Sequence, residues 1–210
     1  VINLGLFYGM GKAKLQAELG VSKFKAEELF DKYHSRVPFV KQLMNEVMKA
    51  AANKGQIKTL LGRRCRFPKY EPILRGSDWG KYIPPEDEER MQDLQKMGPY
   101  LKDDEDEILK DKDGNPKKNY WHNNPTRRAF TYKALNKLIQ GSAADMTKKA
   151  MLELYKAGIT PHIQVHDELD ISVKDDKQAK QIVEIMESAV KLEVPNKVDY
   201  ESGSNWGNIK

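Results

Sequence analysis

Asp167 and Glu168 are the residues of this chain best suited to chemistry, adjacent carboxylates in the string Gln164-Val165-His166-Asp167-Glu168-Leu169. The runs on either side, 161–166 and 168–173, are rich in β-branched residues and predict a hairpin with Asp167 at its bend. Hard oxygens held rigidly at such a bend suit magnesium beside a polyanion, which is what phosphoryl transfer requires. Consecutive strand residues point to opposite faces, so Asp167 and Glu168 chelate one ion together only where the turn distorts the pleat. The plainer alternative is a pair of carboxylates on a solvated turn, a common place for Asp. Against it stand Ile163, Val165, Leu169, Ile171 and Val173, which predict a hairpin anchored to a core.

Two further groups have the chemistry to touch nucleic acid. Asn136 and Gln140 lie four apart, on one face of a helix. Their amides can donate to the purine N3 and pyrimidine O2 acceptors that base pairs present in the minor groove, which tests pair geometry without reading sequence. Gly141, Ser142, Ala143 and Ala144 allow close backbone approach just beyond, and a polar face with a helix–helix contact is the alternative. Gly62-Arg63-Arg64, with Arg66, places arginines at a glycine turn. Such arginines clamp phosphates bidentately or pair with carboxylates close by.

The elements that position these groups are read from patterning. Helices are predicted over 11–19 and 22–35, the second with Leu29, Phe30 and Tyr33 on one apolar face. Pro38 breaks the pattern, and a helix over 39–53 follows, with Val40, Leu43 and Val47 at helical spacing. Gly55 ends it, and 56–61 predicts a strand turning at Gly62. Residues 69–125 hold six of the ten prolines and the run Asp103-Asp104-Glu105-Asp106-Glu107, and predict a mostly exposed insertion with a helix over 85–97. The acidic run reads as a solvated face, with a lid or partner site as the other possibility. Helices over 127–139 and 141–157, the hairpin, a helix over 176–191 and a strand over 197–201 complete an α+β arrangement. No internal repeat is apparent.

The 210 residues have room for one sizeable domain or two small lobes. No apolar run approaches the roughly 20 residues of a membrane helix. A single cysteine, Cys65, excludes an internal disulfide and suits an inert apolar role in an intracellular setting. With four scattered histidines it makes no zinc-spaced cluster. The net charge of +5 is uneven: residues 86–113 carry 12 acidic and 5 basic side chains, a net of −7, so the rest carries +12. A basic body of that kind attracts a polyanion such as a phosphate backbone.

Three strings, in order, resemble the C-terminal part of the polymerase domain of family A DNA polymerases, the bacterial DNA polymerase I type. They are Asn3-Leu4-Gly5-Leu6-Phe7-Tyr8-Gly9, Gln140-Gly141-Ser142-Ala143-Ala144-Asp145 and the string around Asp167. The resemblance implies a mostly helical fingers portion (1–68) joined to a palm portion with a small antiparallel sheet (126–210), the charged insertion (69–125) lying between. It implies template-directed DNA synthesis with two Mg2+ ions as cofactors, and primer-template DNA and deoxynucleoside triphosphates as partners. In that resemblance Asp167 is the motif C aspartate that binds both metals, with Glu168 as an auxiliary carboxylate. His166 matches a residue near the primer terminus, Asn136 and Gln140 match minor-groove positions, and Arg63 and Arg64 lie on the template side. The first string is similar to the later half of motif B. There Tyr8 is the aromatic at the nascent base pair, Gly9 the glycine that follows, and Leu4 replaces the Phe or Tyr that packs on the nucleotide sugar, which implies altered sugar selection. A second departure is Tyr132, where family members usually carry Arg, with Lys133 and Arg128 as candidate substitutes.

By the same resemblance, the phosphate-gripping cations of motif B, motif A with its second metal-binding aspartate, and the thumb have no counterpart in these residues. The chain alone is therefore expected to be inactive, and a complementary polymerase chain is a further implied partner. Whether it is a natural split subunit or a piece of a longer protein stays open. A non-catalytic DNA-binding module is the main alternative, and a metal nuclease built on Asp167, Glu168 and Asp170 a remoter one. The expected location is bacterial or phage-infected host cytoplasm, with no membrane partner.

Overall fold

A computed structural model describes residues 2–7 and 10–208, with the backbone alone for 2–4. Tyr8, Gly9 and the side chain of Leu4 therefore lie outside the described residues. The fold is α+β: helices together with three two-stranded antiparallel pairs among the described residues. The chain forms two compact units, Val1–Lys58 with Arg64–Lys137, and Thr59–Arg63 with Leu138–Lys210.

The first unit opens with α1 (Ile2–Phe7), α2 (Lys12–Leu19), α3 (Lys23–Arg36) and α4 (Pro38–Lys54). Ser22 caps α3 by accepting from the Lys25 N–H at 3.3 Å, the local bond that favours serine at this position. Pro38 does not break a helix but begins one, at the first helical position, where its missing N–H is not needed. Leu15, Ala26, Val40 and Ala51 build the buried interior, whereas Leu43, expected on the same stripe, is 37% exposed. Gly55 ends α4 at φ 65°, and the chain enters β1 (Gln56–Lys58), which pairs with β2 (Arg64–Arg66). A Cβ at Gly55 would lie 2.8 Å from the Arg128 guanidinium carbon, so glycine serves here for close approach as well as for its dihedral.

Residues 70–128 form a closed excursion rather than a loose one. Its ends are tied by β3 (Tyr70–Pro72) pairing with β4 (Thr126–Arg128), a pairing that leaves no room for the helix expected from 127. Exposure holds for 103–118, but Met91 and Leu94 of α5 (Glu88–Lys96) bury against Trp121, with Tyr70, Ile83, Met97 and Leu101 around them. Contrary to the expectation of no internal repeat, one emerges from the hydrogen bonds. Leu101 N–H donates to Lys117 O, Lys117 N–H to Leu109 O and Leu109 N–H to Leu101 O, at 2.8–2.9 Å, closing a ring with a period of eight residues. In the same period Asp103 accepts from the N–H groups of Glu105 and Glu107, Asp111 from those of Asp113 and Asn115, and Asn119 from that of Trp121. The sequence carries the same period, with Leu-Lys-Asp at 101–103 and again at 109–111 and Lys-Lys-Asn at 117–119, so that a turn-forming Asp or Asn recurs in register.

The second unit is built on α6 (Ala134–Lys156), which begins in the first unit and runs unbroken through Gly141 where two helices were expected. Leu154 of α6, Ile159 and Ile182 form its core, with Leu169, Ile171, Ile185 and Met186 packed on them. These residues join α6 to the hairpin of β5 (Ile163–Val165) and β6 (Glu168–Asp170) and to α7 (Asp176–Ser188), which Asp175 caps. The strand expected over 197–201 pairs with nothing among the described residues. Instead the Val198 N–H donates to Glu187 Oε1 at 3.1 Å, a side-chain acceptor that replaces a ladder partner.

Candidate functional site

The hairpin places His166 and Asp167 in a two-residue turn, since Val165 pairs with Glu168. His166 takes φ 55°, in the left-handed region that non-glycine residues enter at a cost of about 1 kcal/mol. Asp167 and Glu168 are exposed, and neither carboxylate has an ion-pair or hydrogen-bond partner among the described residues. Their oxygens are thus available to a ligand. The apolar residues expected to anchor the hairpin divide. Leu169 and Ile171 pack on the Leu154 core, while Ile163, Val165 and Val173 are 41–43% exposed, because only one face of this two-stranded ribbon is covered. One oxygen of Asp170 (Oδ2) is buried without a hydrogen-bond partner among the described residues.

Gln140 is exposed on α6 and Asn136 half-buried one turn earlier, and neither amide has a partner among the described residues. Beside Gln140 lies an arrangement that sequence reasoning missed. Asp145, 7% exposed, accepts from the Thr59 hydroxyl at 2.5 Å and from Arg63 Nε at 2.6 Å. Arg63 Nη2 donates to Gly141 O at 2.9 Å, and the Leu60 N–H donates to Ser142 Oγ at 2.9 Å. Burial pushes the Asp145 carboxyl up, but the bonds from Thr59 and Arg63 and the charges of Arg63 and Lys148 outweigh it and hold it below the usual carboxylate range. Of the two readings open for Arg63, the structure contains the carboxylate pair. A signal was available: a lone Asp at the buried spacing of a helix otherwise filled by Gly141, Ala144 and Leu154 needs a cation, and Arg63 follows a glycine turn.

The remaining candidates belong to the first unit. Arg64 is exposed on β2. Tyr132 is 61% exposed. Neither suggested substitute for the missing arginine is idle: Arg128 donates to Phe67 O at 3.0 Å and stacks 4.8 Å from the Tyr70 ring, while Lys133 lies over Phe130 and Tyr132. No group of three or more His, Cys, Asp or Glu among the described residues could hold a metal ion by itself. Magnesium is commonly held by one or two carboxylates, with water and substrate phosphates completing its shell, and the exposed donors at the bend fit that mode. No described helix is long and apolar enough to cross a membrane.

Comparison with known proteins bears on what these groups serve. A match to the family described as DNA polymerase family A covers residues 1–208. A DNA-directed DNA polymerase of Pseudomonas phage M6 is 33% identical over 240 residues, spanning 98% of this chain and 28% of the phage protein. DNA polymerase I of Bacillus caldotenax is 29% identical over 220 residues, spanning all of this chain and 19% of the bacterial one. Among solved structures, the POL domain of Pol1 from M. smegmatis, in complex with DNA primer-template and dNTP, aligns over 92% of this chain and 27% of that one. Its TM-score is 0.59 at 26% identity. The chain thus spans well under a third of the length of these relatives.

Proposed function

The chain belongs to DNA polymerase family A, and on that footing we propose that it supplies part of the active centre of a template-directed DNA polymerase. The reaction is attack of a primer 3′ hydroxyl on a deoxynucleoside triphosphate, with pyrophosphate leaving. The observation that carries the reading is the uncommitted carboxylate of Asp167, exposed at a strained bend whose strand packs on the Leu154 core.

In this reading Asp167, with Glu168 beside it, holds Mg2+. When bound, that ion lowers the charge cost of attack and departure at the phosphorus. His166 and the amides of Gln140 and Asn136 contact the minor groove at the primer end, and Arg64 a template phosphate. Leu4 and Tyr8 serve to bind the incoming nucleotide, and Gly9 serves to bind the DNA. Residues 1–68 serve as fingers, 69–125 as an insertion and 126–210 as palm. The protein works in bacterial or phage-infected cytoplasm. A two-ion centre uses two aspartates, so residues 1–210 alone are inactive and a polypeptide bearing the second aspartate restores extension.

Primer extension with Mg2+ tests this. The chain alone incorporates nothing, the complemented or longer form does, and Asp167→Asn abolishes that activity while duplex binding persists. Incorporation by the chain alone, lost in Asp167→Asn, overturns the inactivity; extension by the longer form that survives Asp167→Asn overturns the assignment of Asp167. Duplex binding that weakens steeply with salt, without any extension, supports the non-catalytic module instead.

A further inference from the structure

The Thr59–Arg63 turn and α6 are locked together by contacts that fall on one helical stripe. Ser142 Oγ donates to Leu138 O and accepts from the Leu60 N–H, Gly141 O accepts from Arg63, and Asp145 accepts from both Thr59 and Arg63. Residues 138, 141, 142 and 145 follow the three-and-four spacing of a single face. A Cβ at Gly141 would lie 3.0 Å from Thr59 Cγ2 and 3.2 Å from Arg63 Nη2, so the turn sits directly on the backbone there. Thr59 is itself buried, 4% exposed, and its Oγ1 also accepts from the Arg63 N–H at 3.0 Å. Gly62 N–H bonds back to Thr59 O at 2.9 Å, closing the turn.

Gln140 lies outside this stripe, about 100° around the helix from Gly141. It has no tether of its own among the described residues, so the direction of its amide depends on the rotation of α6. At about 6 Å from the axis, a rotation of about 20° moves an amide sideways by about 2 Å, more than a hydrogen bond tolerates. We propose that Asp145 is a positioning residue: by gripping Thr59 and Arg63 it fixes the rotation of α6 and so aims Gln140 at the base pair of the primer end. The inference rests on the minor-groove reading of Gln140 given above. Its consequence is that Asp145, which touches neither DNA nor nucleotide, sets how well a mismatched primer end is refused.

The test is primer extension by the polymerase that carries this chain, comparing kcat/KM from matched and mismatched primer ends. Asp145→Asn is expected to lower the matched-to-mismatched ratio about tenfold, with matched-end kcat falling less than threefold. Gln140→Ala lowers the ratio to the same extent, and the double variant goes no further. Thr59→Val, which removes the hydroxyl but keeps the shape, reproduces the loss, whereas Thr59→Ser retains wild-type selectivity. These two variants decide the matter if Asp145→Asn fails to fold. Equal losses from both primer ends in Asp145→Asn, or multiplicative losses in the double variant, overturn the positioning role. If instead Gln140→Ala leaves the ratio unchanged, the minor-groove reading itself has failed, and the two failures are told apart.

Discussion

Gly141→Ala is a sensitive probe of the contact between the turn and α6, because two opposing effects of similar size meet there. In a helix interior, alanine is favoured over glycine by about 1 kcal/mol. Elsewhere on an exposed helix the substitution would stabilise. At Gly141 the new Cβ would stand 3.0 Å from Thr59 Cγ2, closer than ordinary van der Waals contact. Thr59 cannot retreat, since its hydroxyl is held by Asp145 at 2.5 Å and the residue is 4% exposed. Overpacking of this kind costs about 2 kcal/mol, leaving a net loss of about 1 kcal/mol. For a chain of this size that lowers the melting temperature by about 3 °C. In an Asp145→Ala background the threonine is released, the clash relaxes and the helical gain remains, so the sign reverses. Urea or thermal unfolding of the four proteins measures the coupling. Stabilisation by Gly141→Ala to the same degree in both backgrounds would refute the described docking of the turn.

Three other substitutions probe the remaining structure. Asn119, 2% exposed, donates to Leu94 O at 2.6 Å and Gly98 O at 2.8 Å, so Asn119→Asp turns a carboxylate on two carbonyls and costs about 3 kcal/mol at neutral pH. The new group's pKa is raised in the fold, so the deficit shrinks as urea titrations move to lower pH; a pH-independent deficit contradicts the assigned bonds. Burial, with the charge of Lys41, lowers the pKa of His34, whose Nδ1 has no hydrogen-bond partner among the described residues. Its neutral form suits the fold, so stability is intact above the ordinary histidine range and falls as pH drops through it; His34→Phe should flatten that fall below about pH 6.5 in thermal melts. His166→Gly should leave stability nearly unchanged, since relief of about 1 kcal/mol at positive φ offsets a similar entropic cost. Extension by the longer or complemented form should drop in the same variant, and a large loss of stability instead would overturn the backbone assignment.

Much of the helical framework is legible because its determinants are local. Ser22 and Asp175 announce the helices they cap, and the stripes behind them have the helical period. The hairpin is legible for the same reason, as alternation around a turn. Features set by distant partners are not. Residues 127–133 carry a helical pattern, yet β4 is claimed by β3 more than fifty residues earlier, and Phe130 adopts φ 62°. The eight-residue ring is closed by backbone groups, and its mark in the sequence is a short recurrence, Leu-Lys-Asp at 101–103 and 109–111, set among other charged residues. The site divides along the same line. Asp167 stands out by its immediate neighbours, whereas Asp145 acquires meaning only through Thr59, 86 positions away.

The two aspartates of the second unit show why a carboxylate must be judged by what already binds it. Asp145 has both oxygens engaged, by Thr59 and Arg63, and burial would make any loss of those donors expensive. It has nothing left to offer a metal or a phosphate, and its depressed pKa reflects internal pairing rather than readiness for chemistry. Asp167 is the opposite case: exposed, without a partner among the described residues, and carried on a turn whose histidine is held in an uncommon backbone region. A carboxylate that only solubilises a bend needs neither a strained neighbour nor a strand packed on Leu154. Held that way and unpaired among the described residues, it is open to a partner. In the proposed reading that partner would be a hard cation, which the oxygens of Asp167 would hold without breaking any bond described for the fold.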